Sequence, residues 1–127
     1  MMMNNVLAIV VVLMITSVKA TITTVRVEND LPVDTILTLH CKSSTKDLGA
    51  KVLHSGQYIE WSFQPNTNTK YWCSVTWNNI PQKNIVIYDA AKDVAVCTDK
   101  CWRGISSDGA YFYNQFKSTW ERRYPWN

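Results

Sequence analysis

The 127-residue sequence predicts an all-β fold, a small antiparallel two-sheet β-sandwich stabilised by two disulfides. Three observations lead to this prediction. Apolar residues alternate with polar ones in short runs, which is the two-residue period of a strand with one buried face. About eight such runs follow one another in about 100 residues, separated by polar or proline-containing segments. Four cysteines, an even number in a short chain, indicate two disulfides rather than a catalytic thiol.

The amino-terminal segment has the layout of a secretory signal peptide. Residues 6–15 (VLAIVVVLMI) form an apolar run that is too short to cross a membrane as a helix. Ala20, with Val18 two positions before it, suits a cleavage site, although no basic residue precedes the apolar run. We therefore predict a signal peptide over residues 1–20, a single domain over residues 21–127, and a secreted, extracellular product.

The strand pattern begins after the predicted cleavage site. The predicted strands are residues 24–28, 37–41, 59–63, 71–77, 85–88, 94–97, 102–106 and 110–113. The predicted loops are residues 29–34, 42–50, 64–70, 78–84 and 89–93. Asp108-Gly109 predicts the turn of a hairpin, because glycine accepts the positive φ that such turns need. No segment has a convincing helical period.

The predicted disulfide residues are Cys41, Cys73, Cys97 and Cys101. A zinc site is the alternative, but only Cys97 and Cys101 are close enough in sequence to resemble a pair of zinc ligands. The sequence leaves all three connectivities open, and loop entropy favours long-range pairs. Closing the roughly 60 residues between Cys41 and Cys101 restricts the unfolded chain by about 4 kcal/mol, against about 2 kcal/mol for the short loop from Cys97. The pairs expected on this ground are Cys41–Cys101 and Cys73–Cys97.

The sequence offers little catalytic chemistry. The most specific enzymatic hypothesis is a weak ribonuclease that uses His40 and His54 as base and acid and Lys42 to stabilise phosphate. No motif brings these side chains together. Asp89 and Asp93 lie in a predicted turn, where carboxylates commonly accept hydrogen bonds from backbone N–H groups. We therefore predict no enzymatic activity, no metal site and no cofactor.

Aromatic residues are unusually numerous, and six of them are tryptophans. Trp61, Trp77 and Trp102 occupy strand positions that we expect to face inward or to pack beside a disulfide. Residues 116–126 interleave aromatic and basic side chains. This pattern supports an alternative function, a secreted defence or surface-active protein that binds a membrane or a polysaccharide.

A series of motifs occurs in order along the chain. They are Val25 to Leu31 (VRVENDL), Leu39 to Ser43 (LHCKS), Asp47-Leu48-Gly49, Tyr58 to Phe63 (YIEWSF), Tyr71-Trp72-Cys73, Cys97 to Trp102, and Asp108 to Phe112 (DGAYF). In combination they resemble the plant self-incompatibility protein S1 family, also called S-protein homologues. The resemblance implies a small secreted plant protein with a disulfide-bonded β-sandwich and no catalytic residues.

The same resemblance implies a role for the protein and for its tail. The best-understood members of the family are ligands displayed by female reproductive tissue and sensed by a pollen-surface receptor. The family likeness extends to residues 116–126, which implies a last strand that stops near Pro125, with Lys117, Arg122 and Arg123 in solvent.

We therefore expect an extracellular signalling ligand that a cell-surface receptor binds through polar loops, with pollen–pistil recognition as one setting. Loops on a rigid scaffold lose little entropy when they bind. The candidate receptor-binding residues are Gln64, Asn66, Asn68, Lys70, Asn78, Asn79, Gln82 and Lys83. The net charge of +3 is spread along the chain rather than clustered, so we expect no binding to nucleic acid. We also expect a monomer that does not insert stably into a membrane.

Overall fold

The structure is a computed structural model in which residues 21–78 and 80–127 are described. The predicted signal peptide, residues 1–20, lies outside the described residues, as does Asn79. In chain order the elements are β1 (Thr23–Asn29), β2 (Leu37–Lys42), β3 (Asp47–Leu53), β4 (Tyr58–Phe63), β5 (Lys70–Trp77), β6 (Ile80–Asp89), α1 (Ala90–Asp93), β7 (Lys100–Ser106), β8 (Gly109–Asn114) and β9 (Thr119–Pro125).

These strands form two sheets, which confirms the predicted two-sheet sandwich. One sheet has the order β4-β1-β7-β8-β9 and the other has the order β3-β2-β5-β6. All neighbouring strands are antiparallel except β1 and β7, which pair in parallel with Val25 opposite Cys101. β1 is therefore an interior strand of the five-stranded sheet, between β4 and β7, although its parallel partner follows more than 70 residues later.

The hydrophobic core lies between the two sheets and follows the predicted alternation. Val25 and Val27 of β1 are fully buried, as are Leu39 of β2 and Val75 of β5. Their neighbours in sequence point away from the core, so each strand presents one apolar face to the other sheet. Burial of each such side chain contributes roughly 1.5–3 kcal/mol of transfer free energy, which makes this interior the main source of stability.

The predicted element boundaries are wrong mainly at the edges of the four-stranded sheet. β3 begins at Asp47 and takes the last four residues of the predicted loop 42–50, and β6 begins at Ile80, inside the predicted loop 78–84. Both are edge strands, and their polar, exposed residues hide the two-residue period. Pro81 is tolerated in β6 because an edge strand has one unpaired side. The predicted strand 94–97 is instead a turn that follows the short helix α1.

The disulfides join Cys41 to Cys73 and Cys97 to Cys101, so the expected long-range pairing is wrong. Cys41 and Cys73 are direct partners on the neighbouring strands β2 and β5, with their Cα atoms 4.0 Å apart. We call this pair the cross-strand disulfide and the second pair the short-loop disulfide. A disulfide that closes a longer loop stabilises the fold more, but the strand register decides which two sulfur atoms are close enough to bond.

A buried cluster of charged groups connects α1 to the five-stranded sheet. The carboxylate of Asp93 is fully buried and lies 2.6 Å from Arg123 Nη1 and 3.6 Å from Arg103 Nη2. Its other oxygen accepts the backbone N–H of Asp89 at 2.7 Å, and Asp89 in turn caps α1 by accepting the N–H of Ala91. The predicted structural role of the two aspartates is confirmed.

Arg103 is the one charged side chain of this cluster that the sequence analysis did not consider. Its guanidinium is fully buried, donates to Ile87 O at 2.9 Å and lies over the ring of Phe112. Burial lowers the pKa of Arg103 to about 10, and the neighbouring Asp93 carboxylate opposes that shift. The guanidinium stays charged at neutral pH, so Asp93 is its necessary counter-ion.

The carboxyl-terminal segment forms the last strand, β9, and ends regular pairing at Pro125 as expected. Arg123, which we expected in solvent, is instead paired with the buried Asp93. Trp126 is also buried and donates its indole N–H to Ser106 O at 2.7 Å. The tail is therefore an integral part of the sheet and not a free basic arm.

Candidate functional site

Two loops meet at one end of the sandwich, residues 43–46 between β2 and β3 and residues 64–69 between β4 and β5. We call them the loop pair. Between them lies a polar cleft of about 320 Å³, lined by Ser44, Lys46, Gln64, Asn68 and other residues of both loops, with Tyr71 at its inner side. The candidate receptor-binding residues fall into two segments, residues 64–70 and residues 78–83, and the first of these candidate segments forms one wall of the cleft. The β2–β3 loop, which forms the other wall, was not among the candidates.

The β4–β5 loop is held by its own hydrogen bonds. Asn66 accepts the backbone N–H of Asn68 at 2.8 Å through its side-chain oxygen. The Thr69 hydroxyl accepts the N–H of Asn66 at 2.9 Å, and the Thr69 N–H bonds to the Asn66 carbonyl. Asn66 therefore shapes the turn, whereas the side chain of Asn68 remains exposed. Lys70 is the first residue of β5 and pairs with Asp89 at 3.7 Å.

The β2–β3 loop is organised in the same way. The Ser43 hydroxyl accepts the N–H groups of Thr45 and Lys46 at 3.3 and 3.1 Å, and the Ser43 N–H donates to Lys46 O at 2.8 Å. The cross-strand disulfide begins at Cys41, two residues before this loop, and ends at Cys73, three residues after Lys70. It joins the two strands that carry the loop pair close to where the loops leave the sheet.

A second cleft flanks the β4–β5 loop on its other side. This cleft has a volume of about 330 Å³ and is lined by Pro65 and Thr67 of the loop and by Tyr88, Val94 and other residues of the α1 region. Burial raises the pKa of the Tyr88 phenol, and a hydrogen bond with Thr23 opposes the rise. The β4–β5 loop is thus a ridge between a polar and a largely apolar cleft.

The second candidate segment lies elsewhere and is not the loop that we expected. Gln82 and Lys83 belong to the edge strand β6, and only Asn78 and the undescribed Asn79 separate β5 from β6. Asn78 follows the far end of β5, which is eight residues long and spans about 23 Å at 3.3 Å per residue. The two candidate segments therefore cannot form one small site.

The residues of the ribonuclease hypothesis do not converge. His40 lies opposite Ala50 in the β2–β3 pair, and His54 follows the end of β3, about 13 Å further along the strand. His40 Nε2 is 2.5 Å from Asp47 Oδ1 on the exposed face. The Gly49 backbone N–H, and secondarily His40, lower the pKa of Asp47. This geometry assigns His40 to a surface hydrogen bond with Asp47.

Within the described ranges, 21–78 and 80–127, no group of three or more His, Cys, Asp or Glu residues could hold a metal ion. In that same part of the chain no helix is long and apolar enough to cross a membrane.

The tryptophans divide between the core and the outer surface. Trp61 packs on Tyr71, with ring centres 5.4 Å apart, and Trp77 packs on Trp126 at 5.3 Å, as expected for inward-facing rings. Trp102 does not face inward, because its neighbours Cys101 and Arg103 take the buried positions of β7.

Trp102 belongs to a row of side chains across the outer face of the five-stranded sheet, which we call the aromatic row. Each strand contributes one member: Tyr58, Arg26, Trp102, Tyr113 and Trp120. The Trp102 and Tyr113 rings are stacked with centres 5.5 Å apart, and Tyr113 contacts Trp120 at 5.2 Å. The Arg26 guanidinium lies over Tyr58 on one side and Trp102 on the other, at 4.2 and 5.2 Å from the ring centres.

Comparisons with known proteins agree with the motif resemblance. The family model for plant self-incompatibility protein S1 matches residues 24–126. S-protein homolog 29 of Arabidopsis thaliana is 35% identical over 107 residues, which cover 83% of this chain and 78% of the homologue. S-protein homolog 2 of the same plant is 34% identical, and the match covers 82% of this chain and 68% of the homologue. Self-incompatibility protein S1 of Papaver rhoeas is 27% identical over 65% of this chain and 62% of its own.

A solved structure supports the fold. The chain is similar to a structure of self-incompatibility protein homologue (SPH) proteins, described as a widespread family of small, highly stable, secreted proteins from plants. The TM-score is 0.58 at 18% identity, and the match covers 84% of this chain and 90% of the other. The likeness confirms the β-sandwich architecture.

Proposed function

Because this chain belongs to the plant self-incompatibility protein S1 family, we propose that it is a secreted extracellular ligand that a cell-surface receptor binds through the loop pair. The observation that supports this proposal is the polar cleft between two internally hydrogen-bonded loops. The described secretion of SPH proteins supports export of this chain. Recognition between pollen and pistil is the more specific form of the proposal.

The loop pair suits binding because its backbone is ordered before a partner arrives. A flexible loop must lose conformational freedom on binding, at roughly 0.5–1.5 kcal/mol for each side chain that becomes fixed. The turns around Asn66 and Ser43 already fix the backbone, and the cross-strand disulfide holds their strands together. The exposed side chains, among them Asn68 and Ser44, remain available for contact.

Binding of the labelled mature protein to plasma membranes from the expressing tissue tests the proposal. We expect saturable binding that unlabelled protein displaces. Asn68→Arg and Ser44→Arg add bulk and charge at exposed positions that do not shape the turns, so each should weaken binding at least tenfold. Asn78→Arg, a matched change at the opposite end of β5, should leave binding unchanged.

Two outcomes would contradict the proposal. The absence of saturable binding to membranes of any tissue of the plant would refute a receptor ligand. Loss of binding with Asn78→Arg, together with normal binding of the two loop-pair variants, would move the contact to the β5–β6 hairpin. Expression confined to reproductive tissue would support a mating role, whereas root, leaf or seed expression would assign the signal to another process.

A further inference from the structure

The outer face of the five-stranded sheet contains a third cleft, with groups that could bind a ligand. This cleft, which we call the acidic cleft, has a volume of about 260 Å³ and is lined by Asp30, Ser106, Tyr111 and Trp120. Trp120, a member of the aromatic row, is 48% exposed. It shares no lining residue with the polar cleft of the loop pair, so the two clefts are separate.

Gly104 lies beneath the Asp30 carboxylate, next to the acidic cleft. In the sheet it lies between Glu28 of β1 and Tyr111 of β8. A Cβ at this position would overlap the Asp30 carboxylate and come 3.8 Å from the Trp120 ring. The Asp30 carboxylate therefore lies directly over the bare Cα of Gly104, in the space that a side chain would take, with the Trp120 ring beside it.

The two carboxylates of this region lack an internal counter-ion. Neither Glu28 nor Asp30 forms a salt bridge within residues 21–78 and 80–127. Burial, and then hydrogen bonding and repulsion from Glu28, raise the pKa of Asp30 to about 7.

The nearby charged groups on the other strands are already paired. Arg26 bonds to Glu60 at 3.0 Å, and Arg122 pairs with Asp108 at 3.5 Å. Tyr111, the titratable group on β8, donates its hydroxyl to Asp108 at 2.8 Å. Among the described residues, Glu28 and Asp30 therefore keep unpaired carboxyl groups beside the acidic cleft.

The same face shows how such groups hold a cation. The Arg26 guanidinium lies between the rings of Tyr58 and Trp102 and bonds to the Glu60 carboxylate. The acidic cleft offers the same combination, with the aromatic rings of Trp120 and Tyr111 next to the Asp30 carboxylate, but none of the cations in the described part of the chain is paired with Asp30 or Glu28. Aromatic faces and carboxylates attract cations together, and the attraction strengthens as water is displaced.

We propose that the acidic cleft binds the guanidinium or ammonium group of an arginine or lysine side chain on a partner protein. The charge of the cleft favours a cation over an anion, and Trp120 favours a cation that can lie against a ring. A bound cation would offset the repulsion between Glu28 and Asp30. This contact goes beyond the loop-pair proposal and does not depend on it, because it is argued from a different cleft that has no lining residue in common with the loop pair.

NMR titration of the 15N-labelled mature protein with acetylated, amidated tri-arginine and tri-lysine tests the proposal. We expect saturable shifts of the Gly104 and Ser106 amides and the Trp120 indole N–H. Asp30→Asn and Trp120→Ala should each weaken binding at least tenfold. Asp34→Asn and Phe116→Ala, changes of an exposed acid and an exposed ring elsewhere, should leave it within twofold.

The pH dependence gives an independent readout. For a carboxyl with a pKa of about 7, the charged fraction rises about tenfold between pH 6 and pH 8. Binding to the native protein should therefore tighten by up to tenfold over that range, and binding to Asp30→Asn should not.

Three results would overturn the proposal. The first is the absence of saturable shifts at the cleft with either peptide. The second is equal shifts with a tri-glutamine peptide, which would remove the role of charge. The third is a response of the cleft to cellohexaose instead, which would identify a neutral glycan site. Circular dichroism of Asp30→Asn and Trp120→Ala separates loss of the site from loss of the fold.

Discussion

The buried Asp93 provides the sharpest test of the fold. Asp93→Asn keeps the size of the side chain but removes the negative charge between Arg103 and Arg123. Arg103 is fully buried and cannot reach solvent, whereas Arg123 is partly exposed and can. The substitution therefore leaves one uncompensated charge inside the protein.

The magnitude follows from what remains around that charge. Removing one partner of a buried ion pair costs about 3–5 kcal/mol. Arg103 would keep its hydrogen bond to Ile87 O and its contact with the Phe112 ring, which favours the lower end of that range. We expect a loss of about 3 kcal/mol, which lowers the melting temperature of a domain of this size by roughly 12 °C or more.

Urea and thermal unfolding of purified Asp93→Asn measure this loss. Glu60→Gln is the matched control, because it removes one charge of the half-exposed pair with Arg26 and should cost less than about 1 kcal/mol. The double substitution Asp93→Asn with Arg103→Met should recover much of the lost stability, since it removes both buried charges and keeps a side-chain oxygen that can accept the Asp89 N–H. A loss of less than 1 kcal/mol for Asp93→Asn would refute the claim that Arg103 needs this counter-ion.

Three other predictions concern the disulfides, the acidic cleft and the histidines. Replacing both cysteines of the cross-strand disulfide with alanine should cost about 4 kcal/mol, against about 2 kcal/mol for the short-loop disulfide, and non-reducing peptide mapping should recover these two pairs. Asp30→Asn should raise the melting temperature at pH 8 but hardly at pH 4. The pKa of Asp30 is about 7 in the folded protein and near 3.8 in the unfolded chain, so the native protein loses stability as the pH rises from 3.8 to 7. Equal changes in melting temperature at pH 4 and pH 8 would contradict this prediction. His40→Ala and His54→Ala should not change RNA cleavage by the preparation, whereas loss of cleavage in both variants would restore the ribonuclease hypothesis.

The sequence predicts the central strands well because each buries one face. In β1 and β5 every second residue is buried, and this produces a clear two-residue period. In the edge strands, residues 47–52 of β3 and 80–84 of β6 are exposed or half-buried, so these stretches lack the two-residue period and resemble loops. Cys41 pairs with Cys73 because of the register between β2 and β5. This register depends on how two distant segments pack, and an argument from loop entropy cannot predict it.

Two features of β7 indicate the buried charge and the acidic cleft from the sequence alone. Arg103 lies between Cys101 and Ile105, both at buried positions of one strand, so the period itself places a charged side chain in the core. Gly104 lies inside a strand, where glycine often marks the close approach of another group, here the Asp30 carboxylate. The partner in each case, Asp93 or Asp30, lies outside a strand and has no period, so only the structure identifies it.

The two proposed contact surfaces use residues that the framework does not need. The exposed side chains of Asn68 and Ser44 lie beyond the turns that Asn66 and Ser43 shape, and Trp120 is half-exposed. Stability resides instead in the core between the sheets, the two disulfides and the buried counter-ion of Arg103. Changes at the two surfaces are distant and share no partner, so their effects on binding should be independent of the fold and additive with each other. A scaffold of this kind can change its partner by surface substitution without losing its structure.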